Sequence, residues 1–368
     1  MRPIIALLSA LTSGVTAATV YTGDRFQGHP IISSLDVNDL PSNTVSRFWL
    51  SPAAGQGGLY YFLPIFVARG TAESLESGRK LSLSASIHGD ELNPVAIVQT
   101  IFRQLNETVA AGAFNGTVIG IPTLNPQGNF LNQRNFFTSS SNGFFYDMNR
   151  LFPGLSMAEG GNLVESYTAA IWNDIWGNTS NVDIAVDFHT LSTGSVGPLW
   201  AYADYASEGV QRMAELLQPD VIKIDPGLPG TIETSWVQAG VPAITVETGP
   251  ANNWNRTLIK RTVDFAFRLM DDLMMTGGAL PVPDLSQTFI ANNFSDPYTD
   301  FSGWFESDIE ILQDVEEGQV IGRVYNAWGD ELQTITSSVS GRVLTVLVDP
   351  AVEAGASLAT IAYNATSA

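Results

Sequence analysis

Two hydrophobic periods take turns along this chain. Short runs that alternate or are rich in β-branched residues, "KLSLSASI" (80–87), "TVIGIPT" (117–123), "NVDIAVDF" (181–188), "GPLWAYA" (197–203), "DVIKI" (220–224) and "PAITVE" (242–247), read as strands. Between them lie "ELNPVAIVQTIFRQL" (91–105), "NLVESYTAAIWNDIW" (162–176), "YASEGVQRMAELLQ" (205–218) and "LIKRTVDFAFRLMDDLMM" (258–275), whose apolar residues recur at three and four places, as in helices. Strands alternating with helices point to an α/β layered domain with a mainly parallel sheet. Such folds collect their functional residues at the carboxyl ends of the strands.

The pattern stops after "TGGALPVPD" (276–284). Short strands punctuated by turns follow, as in "VEEGQVIGRV" (315–324), so a boundary is expected near Leu280, with a small all-β domain over residues 281–368. That later segment resembles the barrel-sandwich module of biotinyl and lipoyl carriers, yet no lysine follows Lys260, and a cofactor-carrying role is excluded. At 368 residues with 45% apolar composition, the chain is long enough for two cores.

The first 18 residues, "MRPIIALLSALTSGVTAA", combine an early Arg2, a short apolar run and small residues, the layout of a cleavable secretory signal. Six N-x-[ST] sequons, at Asn106, Asn115, Asn178, Asn255, Asn293 and Asn364, agree with a glycosylated, secreted protein. The absence of cysteine removes disulfides, a thiol nucleophile and thiolate metal sites. With 17 basic and 37 acidic residues, the net charge of −20 argues against nucleic acid or an anionic membrane as partner. No later apolar run approaches the roughly 20 residues of a membrane helix.

The chain has only three histidines, and two of them follow predicted strands. His88 opens "HGDE" after the first run, where the His-x-x-Glu spacing turns an imidazole and the Glu91 carboxylate toward one point. A surface turn with a solvated acid would read the same way. His189 closes "NVDIAVDFH", a place that equally suits a satisfied rim residue. Together the two histidines and Glu91 make a His2Glu set of the kind that holds a catalytic zinc. His29, in a Gly-Pro context, reads as surface.

Residues 123–154 form a polar, glycine-rich loop carrying Arg134, Asn149 and Arg150. An arginine fork suits a carboxylate or a polarised carbonyl, although an internal pair with Asp147 is the competing reading for Arg150. Glu247 ends "GVPAITVE", where a partly desolvated carboxylate can relay protons or simply cap the next helix. No G-x-S-x-G elbow, phosphate-binding G-x-x-x-x-G-K-[ST] loop or G-x-G-x-x-G turn occurs, which disfavours serine hydrolase and nucleotide chemistry.

In order, "HGDE", "NPQG", "DMNRLFPG", "DFH" and "VETGP" resemble the succinylglutamate desuccinylase and aspartoacylase family, a branch of the zinc carboxypeptidase fold. The resemblance covers roughly residues 45–275, and the segment from about 285 resembles that family's C-terminal domain. It implies a three-layer carboxypeptidase-like catalytic domain over residues 19–280. It further implies one zinc ion held by His88, Glu91 and His189, with Glu247 as the catalytic glutamate. By the same resemblance Asn149 and Arg150 hold the substrate's free carboxylate, and Arg134 polarises the scissile carbonyl. The expected activity is hydrolysis of an amide or ester bond in a small anionic substrate such as an N-acyl amino acid. Trimming of peptide C-termini, or ligand binding without catalysis, are the alternatives. Because imidazoles bind metal only when neutral, activity is expected to fade below about pH 6. A rate profile that stays flat down to pH 4 would count against His88 and His189 as ligands.

Overall fold

A computed structural model of the chain describes residues 18–52, 58–139 and 145–365. The expected signal segment, apart from Ala18, lies outside the described residues. Within "KLSLSASI", Leu81, Leu83 and Ala85 point to one buried face and Ser82 and Ser84 to the other. That alternation, repeated in its neighbours, builds a sheet with helices on both sides.

Numbered in chain order, the strands of this sheet are β1 (Val20–Phe26), β2 (His29–Ser34), β3 (Thr44–Leu50), β4 (Leu63–Arg69), β5 (Lys80–Ala85) and β6 (Thr117–Ile121), followed by β7 (Ile184–His189), β8 (Leu199–Ala203), β9 (Val221–Ile224), β10 (Ala243–Thr248) and β11 (Phe289–Ala291). Their spatial order is β1-β2-β3-β4-β6-β5-β7-β10-β8-β9-β11. The central run β6-β5-β7-β10 is parallel, whereas β4 and β8, which flank it, run antiparallel to β6 and β10. All six expected strands are present. The strands before residue 70 have no counterpart among them.

Among the described residues there are six α-helices: α1 (Asn93–Ala110), α2 (Pro126–Leu131), α3 (Leu163–Ala170), α4 (Val210–Leu217), α5 (Ile232–Gln238) and α6 (Arg256–Asp272). In α1, Pro94 fits the first turn, and Ile97, Val98, Ile101, Phe102, Leu105 and Val109 form the stripe buried against the sheet. Gly120 of β6 permits that contact, since a Cβ there would lie 2.0 Å from the Phe102 ring. Helices α1, α4 and α6 share one core with Leu83, Phe188 and Val246. The other face carries α3, α5 and a cluster of Trp172, Trp176 and Trp236, with ring centroids 4.5–5.9 Å apart. The stretch expected as one helix over 162–176 is α-helical only to Ala170 and continues as a π-helix over Ile171–Ile175. No helix among the described residues is long and apolar enough to cross a membrane.

Residues 123–154 are less irregular than their composition suggests. They contain α2, a two-stranded ladder of Phe136–Phe137 with Phe145–Tyr146, and a 3-10 turn over Met148–Arg150. Beyond residue 292 the chain is β-rich, with its own core around Phe305, Ile321, Val324, Val343 and Ile361. The two parts exchange strands. Strand β11, past the expected boundary at Leu280, is an edge of the large sheet beside β9, and Ser195–Val196 pairs with Leu347 and Val346 of the β-rich part.

Candidate active site

The order of the central strands decides where the site forms. From β5 the chain crosses through α1 to β6 on one side, while β7 packs on the other, so the loops after β5 and β7 leave in different directions. A crevice opens between them at their carboxyl ends. His88 follows β5, His189 is the last residue of β7, and Glu247 on β10 is the register partner of His189.

The sequence brings His88 and Glu91 round one tight turn. Glu91 Oε1 lies 2.7 Å from His88 Nδ1, and Glu91 Oε2 lies 2.9 Å from His189 Nδ1. The turn is clamped from behind by "NPQG" and the residue after it: Asn129 donates to Gly89 O at 2.8 Å, and Asn125 donates to Ile87 O at 3.3 Å. Only glycine fits at residue 89, because a Cβ would sit 2.1 Å from the carbonyl carbon of Gly128. The two acids of "HGDE" then diverge. Asp90 turns away and accepts the Thr193 N–H and hydroxyl at 2.9 and 2.8 Å, tying this turn to the loop after β7.

Each imidazole is oriented by a second carboxylate on its outer nitrogen. His189 Nε2 lies 2.7 Å from Asp187 Oδ2, whose other oxygen accepts the Ser84 hydroxyl at 2.7 Å. His88 Nε2 lies 3.1 Å from Asp147 Oδ1. Such partners fix both rings so that the Nδ1 atoms face Glu91. Sequence reasoning gave neither acid this role. The signal for Asp187 was present, since Asp-x-His on a strand places both side chains on one face.

His88, Glu91 and His189 are all buried, and their ligand atoms lie within 4.8 Å of one another. The residues fit a divalent ion. The donor set is two imidazoles and a carboxylate with ordered outer partners, and Glu247 Oε2 beside it is buried with no hydrogen-bond partner among the described residues. Burial alone would lower the His189 pKa, but the charges of Asp187 and Glu91 raise it well above its ordinary value. Burial would raise Glu91, yet the two imidazoles hold it well below the usual carboxylate range. Glu247 is pushed up to about 8, chiefly by burial.

The remaining expected residues line the same cleft, of about 540 Å³. Arg134 donates to Ser192 Oγ at 2.6 Å and to Asp147 Oδ2 at 2.9 Å, with Nη1 3.1 Å from His88 Nδ1. The internal pair considered for Arg150 is looser: its Nη1 is 3.9 Å from Asp147, donates to Asn149 O at 2.7 Å, and its side chain is 44% exposed. Asn149 Oδ1 accepts the Ile232 N–H at 2.9 Å. His29 begins β2 and is no part of the cluster.

The sequence matches the succinylglutamate desuccinylase/aspartoacylase catalytic domain over residues 77–273, more than half of the chain. Solved structures with the same fold include a succinylglutamate desuccinylase/aspartoacylase from Rhodobacter sphaeroides (TM-score 0.74, 15% identity, covering 91% of this chain and 100% of that one). Another is an aspartoacylase family protein from Mesorhizobium loti (TM-score 0.70, 19% identity, 96% and 100%). A third is the product-bound ectoine utilization protein EutE (DoeB) from Ruegeria pomeroyi (TM-score 0.70, 17% identity, 88% and 100%). No protein of curated function matches the sequence significantly.

Asp187→Ala removes the acceptor that orients His189. It is expected to weaken metal binding by about 10–100-fold, measured by competition with a chromogenic chelator. Wild-type affinity in that variant would show that His189 is not held for a metal.

Proposed function

Because the chain belongs to the succinylglutamate desuccinylase/aspartoacylase family of hydrolases, we propose that it is a zinc-dependent hydrolase of an amide or ester bond in a small carboxylate-bearing substrate such as an N-acyl amino acid. The observation that carries this reading is the convergence of His88, Glu91 and His189 on one point in a cleft that also holds the Glu247 carboxylate. His88, Glu91 and His189 would hold the ion, which supplies Lewis acidity toward water and the scissile carbonyl.

The protein's own groups then divide the work. Glu247 takes the proton of the attacking water and returns it to the leaving nitrogen. A carboxyl pushed up to about 8 by burial is suited to both halves of that relay near neutral pH. Arg134, steadied by Ser192 and Asp147, stands beside the imidazoles where negative charge develops on the carbonyl oxygen. Asn149 and Arg150 bind the free carboxylate. The Asn149 oxygen is taken by Ile232, which directs its amide donors to the substrate, and Arg150 keeps an exposed fork. Asp187 and Asp147 hold the rings in one tautomer.

Chelation should abolish turnover, with recovery on adding zinc. Glu247→Gln should lower kcat by about 10²–10⁴. A panel of N-acyl amino acids beside short peptides with free and amidated C-termini separates deacylation from carboxypeptidase action. A zinc-free active protein, or a Glu247→Gln variant as fast as wild type, would defeat the reading.

The protein is also read as secreted and N-glycosylated. The layout of residues 1–18 and the exposure of Asn106, Asn115, Asn178, Asn293 and Asn364 support this. Asn255 is half-buried, and its side chain caps α6 by accepting the Leu258 N–H at 3.1 Å. Endoglycosidase treatment of protein from a glycosylating host should lower its mass, and peptide mapping should find Asn255 unmodified. Retention inside the cell with no mass shift would rule the assignment out.

A further inference from the structure

The cleft continues past the groups that do the chemistry. Its far wall is formed by Trp200 and Tyr202 of β8, Phe294 from the β-rich part, Asp225 and Glu233. Trp200 and Tyr202 are register partners of Glu247 and Thr245, so these side chains share one face of the sheet. The Trp200 and Tyr202 rings lie 4.5 Å apart, and Phe294 stands 5.7 Å from Trp200.

The two acids differ in one respect. Asp225 is neutralised within the protein, with Lys223 Nζ 2.8 Å from Oδ2 and the Gly227 N–H donating to Oδ1 at 2.8 Å. Glu233 is 4% exposed, yet among the described residues no cation lies within ion-pair distance of it. Its carboxylate accepts one hydrogen bond, from the Thr234 hydroxyl at 3.2 Å, and its other oxygen has no partner among the described residues. A carboxyl buried on a cleft wall without a counter-charge favours its neutral form, and a cation brought beside it would favour the ionised one.

Position ties this acid to the substrate. Glu233 follows Ile232, whose N–H donates to Asn149 Oδ1 at 2.9 Å, and Gly230 O accepts the Phe152 N–H at 3.0 Å. The start of α5 is therefore bonded to the segment that carries Asn149 and Arg150. Asn149, Arg150 and Glu233 line the same cleft.

We propose that Glu233, backed by Asp225 and walled by Trp200, Tyr202 and Phe294, is a subsite for a positively charged side chain, so that the leaving group is a basic amino acid with a side-chain ammonium. The inference rests on the hydrolase reading above and narrows its substrate class from a plain anion to a zwitterion. Lys223 Nζ already lies 5.0 Å from the centre of the Phe294 ring, which leaves the Trp200 and Tyr202 rings to add cation–π attraction. The net charge of −20, which opposes capture of anions, favours a substrate carrying an ammonium group. Burial pushes the Glu233 carboxyl up to about 8, with Asp225, Asp204 and Asp187 adding to the rise.

The test compares Nα-acetyl-L-lysine, Nα-acetyl-L-norleucine and Nα-acetyl-L-glutamate on zinc-loaded protein. The lysine derivative is expected to exceed the norleucine one in kcat/KM by at least about tenfold, with glutamate last; Glu233→Gln should bring the first ratio within about twofold, and Glu233→Asp should keep part of it. Calorimetry with free L-lysine and L-norleucine reads the same subsite without turnover. Equal treatment of lysine and norleucine, preference for glutamate, or a lysine preference that survives in Glu233→Gln overturns the proposal. Selective lysine binding that is lost in Glu233→Gln, with none of the three compounds hydrolysed, upholds the subsite and refutes the hydrolase reading instead.

Discussion

A single buried carboxylate organises this protein's cleft. Glu91 stands between two imidazoles at 2.7 and 2.9 Å, and each imidazole is backed by a further acid. Such an alternation of acid and base is stable out of water only when every lone pair and proton has a partner. Much of the surrounding architecture serves that condition. Serines on β5 replace apolar side chains on the face behind the site, and Ser84 binds Asp187. Asn125 and Asn129 tie down the backbone of the turn, and Asp90 joins the loop after β5 to the loop after β7. The parallel neighbours β5 and β7 deliver the histidines to one level because they are aligned residue by residue, Ala85 with Phe188.

What could be read from the sequence follows from how local each signal is. The strands β5 to β10 are buried on both faces, so their apolar runs are strong, and the metal-ligand candidates sit at the ends of those runs. Strand β1 is exposed along its whole length and offered no such contrast. Helix α5 has seven residues and two large apolar ones, Ile232 and Trp236, too few to show a period. The boundary near Leu280 was read from a change of local pattern, whereas pairing of Phe289–Ala291 with β9 is a long-range event that no local composition encodes.

The site divides in the same way. His88, Glu91, His189 and Glu247 announce themselves by chemistry and by their place at strand ends. Glu233 does not. It lies in a short helix among threonines, and its place on the cleft wall is set by long-range contacts such as the Asn149–Ile232 hydrogen bond. Asp147 shows the limit differently. It was visible as a neighbour of Arg150, but the fold gives it to Arg134 and His88.

Phe294 belongs to the part of the chain that follows the last helix, yet it faces the same cavity as Glu247. The lining of the cleft is thus drawn from separate stretches of polypeptide. Exchange of the tail between related chains, by recombination or by design, would alter one wall of the cleft and leave His88, Glu91, His189 and Glu247 in the sequence unchanged.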